Sequence, residues 1–81
     1  MDVYVNIKRW GGHVLLAICD IELLGKTLRD GGIVFAVREE FYKGLRMDVD
    51  EAVSLIDQST VINIVGCNVV AKAIELSLIH I

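Results

Sequence analysis

The sequence predicts a small α+β domain: an N-terminal β-hairpin, then alternating helices and strands, forming a mixed sheet with helices mainly on one face. Three observations predict it. Val3, Val5 and Ile7 alternate with Tyr4, Asn6 and Lys8, the two-residue period of a half-buried strand. Val49, Ala52, Val53 and Ile56 recur at helical spacing. The pairs Gly11-Gly12 and Gly31-Gly32, with Gly66, cut the chain into short elements. At 81 residues the chain is read as one domain spanning 1–81, near the lower limit for a self-sufficient core. Its 54% hydrophobic content offsets that limit and marks a globular chain rather than a disordered one.

The first strand meets Gly11-Gly12, and the apolar run from Val14 to Cys19 follows. Two strands joined through two glycines make a hairpin with both turn residues at positive φ. Asp20 stops the second strand. It is expected to cap a short helix with Glu22 in the first turn and Lys26 and Arg29 near the C-terminal end. Gly31-Gly32 precedes a third strand, Ile33 to Val37, rich in β-branched residues. Arg38 to Gly44 fits a strand extension, a turn or one helical turn. Asp48 with Glu51 three residues later is a capping-box pattern, so 49–58 should be helical. Ser59 to Val65 is a fourth strand, which Gly66 ends. Asn68 then caps a helix running to Leu76, with Val69, Val70, Ala73 and Ile74 facing the core. Leu78 to Ile81 is a candidate start of a last strand.

Composition narrows the function classes. The longest apolar run, Val14 to Cys19, is far short of the ~20 residues of a membrane helix. No basic region precedes an apolar core at the N-terminus, so no secretory signal is read and a cytoplasmic location is expected. Cys19 and Cys67 lie in apolar stretches, without disulfide or zinc spacing, and His13 and His80 do not complete a ligand set. No metal, cofactor or catalytic residue is assigned, and a non-enzymatic protein is favoured. Net charge is −3, split as +1 over residues 1–46 and −4 over residues 47–81. Any anion-facing surface therefore belongs to the N-terminal half.

Gly25-Lys26-Thr27 looks like the end of a phosphate-binding loop. Such a loop needs a glycine five residues earlier, where this chain has Asp20, whose charge would repel phosphate. The run from Ala17 to Gly31 instead resembles the signature of a small, mostly archaeal family, domain of unknown function 424. Val37 to Gly44 and Thr60 to Gly66 match the same family in order, and together the three blocks span nearly the whole chain. The resemblance implies an archaeal cytosolic protein tied to translation or RNA. It also implies one more strand beyond this point, which raises whether the chain is complete at Ile81.

The candidate site residues follow from charge and aromaticity. Lys8, Arg9 and Trp10, with His13, cluster at the hairpin tip, where cations can hold phosphate and a ring can stack a base. Alternation sends Lys8 and Arg9 to opposite faces. Lys26 and Arg29 share a face if their segment is helical, and can bind an anion or balance a helix dipole. Thr27, Asn63 and Gly66 outline a possible pocket. Asn63 is a polar residue within an apolar strand, and Gly66 sits at a strand–helix junction, a generic anion site or simply a turn. The leading expectation is a non-catalytic module that binds RNA or a ribonucleoprotein such as the ribosome. One alternative is a small enzyme or ligand-binding protein with a site near Lys26 and Gly66. Another is a protein-interaction subunit, including a homodimer through a C-terminal strand edge.

Overall fold

The structure is a computed structural model that describes residues 1–75, so Leu78–Ile81 and His80 lie outside the described residues. In chain order the elements are β1 (Asp2–Trp10), β2 (His13–Asp20), a 3-10 turn (Ile21–Leu23), β3 (Thr27–Asp30) and β4 (Ile33–Ala36). Then come α1 (Glu39–Tyr42), β5 (Leu45–Asp48), α2 (Val49–Ser54), a second 3-10 turn (Leu55–Gln58), β6 (Val61–Val65) and α3 (Cys67–Glu75). The fold class is α+β as predicted.

β1 and β2 form the expected hairpin, paired from Val3 with Asp20 to Trp10 with His13. Gly11 and Gly12 turn it at φ of 50° and 82°, which matches the twist of the flanking strands. β5 adds antiparallel to β1 and β6 adds parallel to β2, giving a mixed sheet in the order β5-β1-β2-β6.

The sheet has a core on each side, because successive residues point to opposite faces. Val3, Val5, Leu16 and Ile18 pack against Val49, Ala52 and Val53 of α2 and Val69 and Ala73 of α3. On the other side Ala17 and Cys19 meet Val37 and Tyr42, with Leu23, Leu24, Leu28 and Phe41 packed around them. The two longer helices thus share one face, as predicted. The opposite face is covered by α1 and by a separate ribbon of β3 and β4.

That ribbon corrects the expected helix after Asp20. Only Ile21–Leu23 turns helically, and Thr27–Asp30 is a strand paired with Ile33–Ala36 through Gly31-Gly32. The backbone explains why. Gly25 N–H donates to the Val37 carbonyl and Val37 N–H donates to the Lys26 carbonyl, both at 2.8 Å, so tertiary partners take the groups a helix would use. Lys26 and Arg29 therefore do not share a helix face. The predicted third strand belongs to this ribbon rather than to the main sheet, and β5 is an additional strand.

Arg38 to Gly44 resolves as one helical turn, α1. The segment 49–58 is helical, with its last turn tightened to 3-10 geometry. Asp48 caps it, accepting from Asp50 N–H at 3.0 Å. α3 starts at Cys67, so Asn68 lies inside the helix and is not its cap. Val69 and Ala73 are buried as expected, but Ile74 is 38% exposed.

Candidate functional site

Asp20 ends β2 as the sequence suggests, but its side chain works elsewhere. It makes no bond to the 3-10 turn that follows. Its Oδ2 accepts from Asn68 N–H at 3.0 Å and its Oδ1 from Val69 N–H at 3.1 Å. These are first-turn donors of α3, so a distant carboxylate satisfies them and meets the positive end of the helix dipole. Gly66 admits it, because a Cβ at that position would overlap the Asp20 carboxyl group. At φ of 122° residue 66 also lies where only glycine is comfortable. The generic anion position at this junction is filled by the chain's own carboxylate. Next to it, burial and then the charges of Asp20 and Glu22 push the Cys19 thiol up to about 11, leaving it protonated and unreactive at neutral pH.

A second link lies on the opposite face of the sheet. Tyr42 is 2% exposed, and its hydroxyl donates to Asn63 Oδ1 over 2.6 Å. Burial, and secondarily Cys19, pushes the phenol up, so it keeps the proton that it donates. With Oδ1 accepting that proton, the Asn63 NH2 group is left to face outward. Beside this pair opens a cavity of about 240 Å³, lined by Phe35, Ala36, Arg38, Phe41, Tyr42 and Asn63. Phe41 and Tyr42 meet edge to face with ring centres 4.9 Å apart, which fixes the Phe41 wall.

β1 carries charge and a further ring toward this side of the sheet. Lys8 Nζ sits 5.1 Å from the centre of the Phe41 ring, a cation–π contact. Trp10 follows Lys8 by two residues and so points the same way. It is 54% exposed at the hairpin tip, with the His13 ring 6.0 Å away. β6 adds Asn63 opposite Ala17 on the same side. Arg9 points to the other side, where it borders a small cleft with Ile7, Leu16 and Leu55. Asp50, Glu51, Asp57 and Glu75 also lie behind the sheet, on α2, the second 3-10 turn and α3. There Lys72 pairs with Asp50 at 3.2 Å and Glu75 at 3.4 Å. The acidity of the C-terminal half is thus largely carried on the helical side.

The remaining expected residues do not join this group. Lys26 is exposed in the bend before β3, and Arg29 lies opposite Val34 in the ribbon. Thr27 pairs with Ala36 at the ribbon's base but does not line the cavity. Phe35, Arg38, Phe41 and Tyr42 are the wall residues that inspection of the sequence passed over. Their signal was the interleaving of cations and rings from Arg38 to Lys43, in a segment whose conformation was ambiguous.

The class so defined is a small α+β domain with an aromatic-walled cavity on the sheet face opposite its longer helices. The chain belongs to the family described as "Protein of unknown function (DUF424)", which it matches over residues 8–81. It is similar to a crystal structure of an uncharacterized conserved protein from Methanopyrus kandleri, at 31% identity and a TM-score of 0.82. That match covers 99% of this chain and 77% of the other. Comparison with curated proteins gives no match. No helix of the described residues is long and apolar enough to cross a membrane. Tyr42 of the second block that carries the family resemblance bonds to Asn63 of the third, and Asp20 of the first packs against Gly66, the last residue of the third, and bonds to the helix just beyond it.

Proposed function

We propose that this chain is a non-catalytic RNA-binding module that holds single-stranded RNA on the sheet face bearing Lys8, Trp10 and the Phe41 cavity. The observation that carries it is the grouping of rings and cations. Exposed rings and cations share one side of the sheet; Asp50, Glu51, Asp57 and Glu75 lie behind it, while Glu22, Glu39 and Glu40 sit on the elements that cover the ring side. Stacked bases gain from ring faces and the backbone from nearby cations, without sequence reading. Phosphate senses the nearby cations of this surface more than the net charge of −3. A ribonucleoprotein or ribosomal partner, in a cytoplasmic setting, is what the family resemblance adds.

A protein-interaction role is the second reading, favoured by the ribbon. Ile33, Val34 and Phe35 of β4 are 73%, 56% and 41% exposed on a sheet of only two strands. Fluorescence anisotropy with an unstructured single-stranded RNA separates the two. Binding at low salt that weakens as salt rises supports the RNA module. No binding at low salt contradicts it and leaves the ribbon as the interaction surface.

A further inference from the structure

We infer that the cavity beside Asn63 takes a single nucleobase and prefers guanine to adenine. This rests on the RNA-binding reading and adds a base preference to it. Size comes first. At about 240 Å³ the cavity lies below the ~300–1,000 Å³ of sites for drug-sized ligands, so it suits one planar ring system. Phe35 and Phe41 give it aromatic walls against which such a ring can stack.

The polar edge then selects among rings. Tyr42 has one proton and gives it to Asn63 Oδ1, so turning the amide oxygen toward a ligand would take from the buried phenol the acceptor of its proton. What Asn63 offers is its NH2 group, a donor. Arg38, at the cavity wall, offers only donors as well. The neighbouring carboxylates do not line the cavity. Glu39 Oε1 lies toward Gly25, and Glu40 is exposed on α1 and does not line the cavity.

These two donor groups fit a base edge made of acceptors. Guanine presents O6 and N7 side by side, whereas adenine puts an amino group at the position of O6. An amino group facing Asn63 or Arg38 would set donor against donor. A well-placed contact of this kind discriminates by about fivefold or more.

The test uses the whole chain and two RNA octamers, one of adenosines and one with a single central guanosine, in low salt. The guanosine octamer should bind about fivefold or more tightly. Asn63→Asp keeps an acceptor for Tyr42 but replaces the NH2 with a second acceptor, and should bring the ratio of the two affinities near one or below. Arg38→Ala, at an exposed residue, should lower the same ratio without disturbing the fold. Equal affinity of the parent for both octamers overturns the base preference and leaves the RNA module standing. So does an unchanged ratio in both variants. Failure to bind either octamer overturns the module itself.

Discussion

The carboxylate of Asp20 fills the space that a side chain at Gly66 would need, and from there it caps α3. One residue is small so that the other, far away in sequence, can reach two backbone N–H groups. The pair welds the end of β2 to the strand–helix junction after β6.

Replacing Asp20 by alanine leaves those donors buried without a partner and should cost ~1–3 kcal/mol. Asp20→Asn retains an acceptor and should lose less. Thermal melts of the three proteins check the order. An alanine variant as stable as the parent would contradict the capping role.

Gly66→Ala should be more damaging than an ordinary glycine substitution, because backbone strain of ~1–3 kcal/mol adds to the collision with Asp20. In an Asp20→Ala background the collision is gone and only the strain remains. A double-mutant cycle on denaturation free energies should therefore show strong coupling between the two sites. Simple additivity would mean that they do not meet.

Tyr42→Phe removes the hydroxyl that fixes Asn63. Asn63 is exposed and can turn to water, so the expected loss is only ~0.5–1.5 kcal/mol. Chemical denaturation measures it, and the side-chain amide signals of Asn63 should shift in the NMR spectrum. Unmoved signals would show that the two side chains are independent.

Alkaline pH should destabilise the fold through Cys19. Its thiol rises from 9.0 to about 11 on folding, so the native state holds this proton more tightly than the unfolded chain does. The contribution is complete below about pH 9 and is lost as pH rises through about 11. Tyr42, also raised, acts in the same direction. Denaturation midpoints in the parent should fall over this window, and Cys19→Ala should reduce the fall. A parallel pH profile in the variant would rule Cys19 out as a source.

What could be read from the sequence was local. The Gly11-Gly12 turn, the Asp48 cap and the alternation in β1 each depend on neighbours a few residues away, and each is present. The stretch after Asp20 misled because Asp, Glu, Lys and Arg fall where a helix would want them, while the deciding bonds come from Val37. β5 has four residues and becomes a strand only by pairing with β1 at the far end of the chain. The site was half legible for the same reason. Lys8, Trp10 and Asn63 were singled out by type, but nothing in Asn63 reveals that Tyr42 fixes its amide. Lys26 and Arg29 looked like a pair only on a helix that does not form.

The central claim is that RNA lies on the face of Lys8 and Trp10, and the salt dependence of binding tests it most directly. Anisotropy titrations of an unstructured RNA at several salt concentrations should be run on the parent, Lys8→Ala and Trp10→Ala. Lys8→Ala should flatten the logarithmic salt slope by ~0.7, as expected for one lost phosphate contact on a single strand. Trp10→Ala should weaken binding by ~1–3 kcal/mol with the slope nearly unchanged, since stacking releases few counterions. Parent-like affinity and slope in both variants would contradict the placement of RNA on this face.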